Sequence, residues 1–233
     1  MINRIAAEYS DKGFLLYSVD YVGAYTRGET LKSAIEKFPN EIAQYCNWRG
    51  LKYEGVCVNT VVQEKLTDLD VSDADSDIIL NSETLSLTLE EYTTLRDLAL
   101  KSAADFLHLY HSIPNKDGTV LAPRKTFYGE RPITATQMYE HTKNVNSYYF
   151  AEIDIEAPNE PDIFHCRKAG FEAIEKTPDF LENAVFDGSY GEQWSLRKVL
   201  RRFIWHDRIH AKSMYKMACQ LCGKENVANP FMF

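Results

Sequence analysis

The spacing of apolar positions changes along the chain, and each change marks an element. In "FLLYSVDYVGAY", residues 14–25, β-branched and aromatic residues crowd together. Leu15, Tyr17, Val19 and Tyr21 alternate there so as to share one strand face. From Thr30 the period lengthens. Leu31, Ala34, Ile35, Phe38, Ile42 and Tyr45 make a helical stripe, with Thr30 as its N-cap. Pro39 sits inside that stripe and predicts a kink or a break into two helices. "GVCVNTVVQ", residues 55–63, returns to strand composition, so the first 70 residues read strand, strand, helix, strand. The acidic run "TDLDVSDADSD" then has few apolar residues and little periodicity. It predicts a linker over residues 71–84, with the boundary between 68 and 82.

Beyond residue 85 the pattern is helical. Thr88 and Glu91 form a capping-box pair, and Tyr92, Leu95, Ala99, Phe106 and Leu109 or Tyr110 continue a stripe as far as Pro114. A long loop, "NKDGTVLAPRKTFYGERP", follows. "TATQ" at 134–137 predicts a second capping box and a helix to about Ile153; "APNEPD" breaks the chain, and a third helix runs from about Asp162 to Glu175. "SYGE" at 189–192 is read as a third capping box opening a long last helix that ends near Gly223. Four helices of this length predict a four-helix bundle and an α+β chain overall: residues 1–70, a linker at 71–84, and a bundle over 85–233.

The candidate chemistry lies on the stripes. On the last helix Val199, Phe203, His206, His210, Met214, Met217 and Leu221 follow at steps of three and four. His206 and His210 therefore occupy core positions on one face, a spacing that lets two imidazoles share an ion. On the second bundle helix Met138, His141, Val145 and Tyr148 step likewise, which predicts a third inward imidazole. Three neutral imidazoles with an open position match a catalytic zinc-type site, and such borderline donors also suit nickel, iron or cobalt. His108 and His111 fall roughly 140–200° from Phe106 at about 100° per residue, so they are expected on the solvent face. His165 lies beside its own stripe. "RKVLRR", with Arg197, Lys198, Arg201 and Arg202, is read as a solvated basic face.

Composition narrows the classes. Of 233 residues, 45% are apolar and 26% charged, as in globular proteins; the net charge of −8 opposes bulk nucleic-acid binding, which needs a basic surface. No apolar run reaches the roughly 20 residues of a membrane span, and "MINRIAAEYSDKG" turns polar too early for a signal peptide, so a cytoplasmic protein is expected. Five cysteines, Cys46, Cys57, Cys166, Cys219 and Cys222, are an odd count without a secretion signal, which argues against a disulfide framework. "CQLC" at 219–222 sits at the end of a predicted helix, away from the N-terminal position that acidifies a redox pair.

"TATQMYEHTKNVNSYYFAEI" followed by "EQWSLRKVLRRFIWHDRIHAKSMY" resembles the DinB-like (DinB/YfiT) superfamily, over about residues 85–222. The resemblance implies a four-helix bundle with a divalent metal, zinc or nickel first, held by His141 from the second helix and by the HxxxH pair His206 and His210. It further implies a thiol-dependent S-transferase or isomerase that uses a low-molecular-weight thiol on a small-molecule substrate, whereas a hydroxide activated by the metal would give hydrolysis. "DYVGAYTRGETLKSAIEKFPNEIAQY" resembles a HicB-like domain, which implies a small ββαβ module of the kind found in antitoxins and in other contexts. Against the enzyme stands a non-catalytic reading: a HicB-like partner-binding module on a helical scaffold with structural metal or none. The long last helix also offers an edge for a homodimer.

Overall fold

The computed structural model describes residues 2–53, 55, 58–126 and 129–233; Met1, Glu54, Val56, Cys57, Phe127 and Tyr128 lie outside the described residues. The expected cysteine Cys57 and the start of the "GVCVNTVVQ" strand fall among these.

The chain is α+β, with a sheet in the first 66 residues and helices dominating the rest. Strands β1 (Ile2–Ser10), β2 (Gly13–Ser18) and β3 (Tyr25–Gly28) form an antiparallel meander. Helices α1 (Leu31–Ile35) and α2 (Phe38–Arg49) then cross over, and β4 (Val58–Leu66) pairs parallel to β1, for the order β3-β2-β1-β4. The ββαβ expectation is therefore corrected to three strands, two helices and a strand. Ile2–Ser10 alternates only in part and includes two adjacent alanines, which hid it as a strand. The single strand expected through Tyr21 ends at Ser18. Residues 19–24 turn tightly there because Gly23 adopts a φ of +92°, open to glycine at little cost, and a Cβ at that point would stand 2.3 Å from Ile204 Cγ2.

Thr30 caps α1 as expected, its side chain accepting from Ser33 N. The stripe breaks after Ile35, and Pro39 sits in the first turn of α2, where a missing N–H costs nothing. Both faces of the sheet are covered, in the alternation a pleat demands. Ile5, Ala7, Leu16 and Ala24 join the main core with α1 and α2, while Ala6, Leu15, Tyr17 and Tyr25 pack on Val71, Ile78, Leu80 and Trp205.

Residues 68–84 are thus threaded between sheet and helices, with Val71, Ser76, Ile78, Leu80 and Glu83 buried. Glu8 of β1 accepts from the Ser76 hydroxyl and from Asp77 N (3.0 Å), and burial pushes its carboxyl up to about 7.

Helix α3 (Leu89–Ser112) opens on the predicted Thr88–Glu91 box, and α4 (Ala135–Ala151) on the Thr134–Gln137 box. Between them the loop carries a hairpin, β5 (Lys125–Thr126) with β6 (Gly129–Glu130). Helix α5 (Ile163–Ile174) is capped by Asp162. A second small hairpin, β7 (Phe186–Asp187) with β8 (Gln193–Trp194), precedes α6 (Leu196–Cys222). The third capping box is corrected here. Tyr190 and Gly191 have left-handed φ values of 59° and 73°, incompatible with a helix start, and the N-cap of α6 is Ser195, which accepts from Lys198 N. Helix α3 packs on α4, α5 and α6, and α4 packs on α5 and α6. No helix among the described residues is long and apolar enough to cross a membrane.

One guanidinium ties the four long helices together. Arg167 of α5 makes a bidentate pair with Asp207 of α6, reaches the carbonyl of Ala99 in α3 (3.2 Å) and donates to Asn146 Oδ1 in α4 (3.2 Å), all out of contact with water. Burial nevertheless pushes the Asp207 carboxyl up.

The "RKVLRR" reading is corrected as well. Lys198, Arg201 and Arg202 are buried, not solvated. Lys198 pairs with Glu192 (2.9 Å), Arg201 with Glu83, and Arg208 further along with Glu41 (2.6 Å). The 68–84 segment and the sheet cover the face of α6 that the helices leave open. Over residues 198–208, where α6 is enclosed on every side, the charged side chains must turn inward, each with a partner from another element.

Candidate metal centre

Helix α6 enters the site with period-3.6 discipline. Val199, Phe203, Met214 and Met217 are buried, His206 is buried, and His210 is half-buried. One residue before His206, Trp205 turns about 100° away and packs edge-on against Tyr17 and Tyr25 of the sheet (5.7 and 6.3 Å). The sheet therefore grips α6 within one residue of the histidine.

The α4 stripe is corrected. The face it buries is Ala135, Met138, Tyr139, Thr142, Asn146, Tyr149 and Phe150, while His141 and Tyr148 are exposed and Val145 is half-buried. Thr142 and Asn146 belong to the core because their donors are satisfied within α4, and the Asn146 oxygen accepts from Arg167. Thr142 donates to Met138 O (2.8 Å) and Asn146 to Lys143 O (2.9 Å). An apolar stripe drawn through α4 passes these two over, and so rotates toward His141.

His141 still meets its partners, because it lies at the seam where α4 packs on α6. Its ring centroid is 5.1 Å from that of His206 and 4.7 Å from that of His210, and the two α6 rings are 4.4 Å apart. One nitrogen from each ring falls within 4.8 Å of the others. A tetrahedral ion with nitrogens at about 2.0–2.1 Å needs donors roughly 3.3 Å apart, so small side-chain rotations bring the three into range. Among the described residues this is the one cluster of three or more His, Cys, Asp or Glu side chains with that property. The cluster is a solvent-edged seam, not the enclosed interior expected from the stripes.

The electrostatics favour neutral imidazoles. His141 is exposed as a residue, yet partial desolvation of its ring against α6 pushes its pKa down. His206 and His210 fall well below the usual histidine value, first through burial. His206 is lowered further by His210, His141, Arg202 and Arg167, and His210 by His141, Arg131 and Arg27. Neutral rings are the form that ligates a cation. The buried His206 Nδ1 has no hydrogen-bond partner, an omission that costs on the order of 1–3 kcal/mol unless something fills it. The donor set and this orphan nitrogen both fit a divalent ion.

Around the trio, Tyr149 stands edge-on to His206 at 5.9 Å, whereas Tyr148 packs on Trp194. Arg202, four residues before His206 on the same face of α6, lies over the rings of Tyr149, Trp194 and Trp205. Neither adjacent carboxylate is free to act as a base: Glu140 pairs with Lys143 (3.1 Å), and Asp207 is engaged by Arg167. Arg27 and Arg131 were not among the expected site residues. They come from β3 and from the loop after β6, and they enter only as positive charges that lower the His210 pKa after burial does. Arg202, by contrast, was recoverable from its spacing to His206.

The other candidates stay apart. His108 and His111 are exposed, as predicted, and line a shallow groove with Ala104, Leu107 and Phe164. His165 is exposed and bonded to its own helix cap, Asp162 (2.7 Å). A second groove runs along Ser147, Ala151 and Asp154 to Ala157; neither groove is lined by the three histidines. Cys219 and Cys222 are unpaired and lie in the last turn of α6. Comparison with protein-family models, with curated proteins and with solved structures returns no match to this chain.

Proposed function

We propose that this chain is a divalent-metal-dependent enzyme of the DinB-like kind, a thiol-dependent S-transferase or a hydrolase acting on a small molecule, with His141, His206 and His210 as metal ligands. The observation that carries the reading is the meeting of three neutral imidazoles from two helices at a seam that one of them, His141, leaves open to solvent. A structural site closes its coordination with a fourth protein side chain, and no fourth His, Cys, Asp or Glu joins the cluster among the described residues. Zinc or nickel held there would supply Lewis acidity, lowering the pKa of a water or a thiol at neutral pH.

The chain's own residues orient and insulate. Burial and the arginines keep protons off the imidazoles. Tyr149 presents a ring edge to His206 and walls off the core side. The sheet, through Trp205, fixes the rotation of α6. The HicB-like module is then a positioning wall for the metal-bearing helix. The test is elemental analysis of protein purified without a nickel column, followed by thiol-transfer and ester- or amide-hydrolysis panels on metal-loaded and chelator-treated samples. Activity restored by zinc or nickel supports the proposal. Metal at full stoichiometry with no exchangeable position and no turnover across both panels favours the scaffold reading.

A further inference from the structure

Three successive carbonyls of the acidic segment are held by three cations of α6. Ser76 O accepts from Arg202 Nη1 (3.0 Å), Asp77 O from Lys198 Nζ (3.0 Å) and Ile78 O from Arg201 Nη2 (2.9 Å). Arg202 stands one turn before His206. The same segment meets the sheet on its other side. Glu8 of β1 takes the Ser76 hydroxyl on one oxygen and the Asp77 N–H on the other (3.0 Å), and the Tyr17 hydroxyl of β2 donates to Ser76 Oγ (2.7 Å). Residues 76–78 therefore join two strands to the helix that carries His206 and His210. Glu8 differs from the other buried acids here. It is out of contact with water, yet no ion pair reaches it among the described residues. The surrounding cations are committed elsewhere. Lys65, which faces Glu8 across the β1–β4 pairing, binds Asp77 (2.6 Å); Lys198 binds Glu192 (2.9 Å), Arg201 binds Glu83, and Arg202 holds Ser76 O. The Asp77 carboxyl hydrogen-bonds that of Glu8, so the nearest charge has the same sign. A buried carboxyl with an acid for a neighbour and no counter-ion keeps its proton.

We propose that residues 76–78 form a proton-dependent latch, which clamps the sheet to α6 while Glu8 and Asp77 keep one proton between them and loosens when that proton leaves. Loss of the proton sets two carboxylates side by side, with Lys65 the one cation paired to either among the described residues. Arg202 attracts the Glu8 charge from α6. Burial and then Asp77 outweigh it and push the Glu8 carboxyl up to about 7. Burial works against ionisation of Asp77 too, but its bond to Glu8 and the charge of Lys65 hold that carboxyl below its usual range. In the open latch Glu8 returns to about 4.3. The hold is therefore complete below about pH 4.3, weakens as the pH rises toward 7, and levels off at its lowest above that. The latch does not depend on what the three histidines hold.

The test is hydrogen exchange of the full chain, read by mass spectrometry between pH 6 and pH 8.5 with labelling times scaled to the intrinsic rates. Wild type is compared with Glu8→Gln, which keeps the shape of the protonated acid and has no proton to lose. In the wild type, exchange over residues 69–80 should quicken about tenfold from pH 6 to pH 8.5, and it should run ahead of exchange in α5 throughout. Glu8→Gln should show no such quickening. Both proteins share the histidine titrations, so the contrast between them isolates Glu8. Asp77→Asn is the second variant, and it decides the matter if Glu8→Gln does not fold. With the neighbouring acid gone and Lys65 released, the quickening should begin at lower pH than in the wild type. Equal protection at the two pH limits in the wild type would overturn the latch, as would the same quickening in Glu8→Gln. So would exchange of residues 69–80 only together with α5, or a midpoint that Asp77→Asn leaves where it was.

Discussion

At the scale of single residues, the three histidines differ in ways their spacing does not announce. His206 and His210 follow from steps of four on a helix whose apolar stripe is unbroken, so their inward direction was legible. His141 was legible as a partner but not in its setting, because Thr142 and Asn146 hide on the buried face of α4, donating to their own helix, with the Asn146 oxygen taken up by Arg167. The depressed pKa values have a consequence for stability. In the unfolded chain each imidazole takes a proton near pH 6.5, while in the folded chain His206 and His210 resist it. Their contribution is therefore complete above about pH 6.5 and is lost as the pH falls below it, with a slope of up to about 1.4 kcal/mol per pH unit for each proton withheld. Urea unfolding of metal-free protein at pH 7.5 and 5.5 should show a smaller loss for His206→Asn than for the wild type. An equal loss would mean that His206 is protonated in the folded state.

At the scale of elements, helix starts were the most readable feature. Thr30, Thr88 and Thr134 each accept from the backbone N–H three residues on, as their neighbours in sequence imply. The fourth reading failed at Ser189 because a capping box describes side chains, and the backbone at Tyr190 and Gly191 is left-handed. The basic face of α6 failed for a different reason. Charged side chains in sequence carry no sign of the acids that will enclose them, and Glu83, Glu192 and Glu41 come from three other parts of the chain. The tight turn at Gly23 belongs to the same contact. Alanine there adds a methyl group 2.3 Å from Ile204 Cγ2 on a backbone at φ +92°. Gly23→Ala should cost roughly 1–3 kcal/mol in denaturant unfolding. Unchanged stability would show that the turn does not press on α6.

For the molecule as a whole, α6 is the common element. The sheet holds it through Trp205, α2 through the Glu41–Arg208 pair, and the other long helices through Arg167 and Asp207. The position of the histidines is thus a property of the whole fold, and the acidic run read as a linker contributes to it by burying Val71, Ile78 and Leu80 against sheet and helix. Asp207→Asn leaves Arg167 charged and buried without its counter-ion. It should destabilise the protein by about 3–5 kcal/mol, measured by chemical denaturation. A loss under about 1 kcal/mol would mean that water reaches the pair.

The central claim is that three side chains share one ion, and calorimetric titration of metal-free protein with zinc tests it most directly. The wild type should bind one equivalent. His210→Ala should lose that binding while its circular dichroism stays that of the folded chain, since the surrounding core is mostly apolar. One equivalent of zinc bound to folded His210→Ala with wild-type affinity would contradict the account.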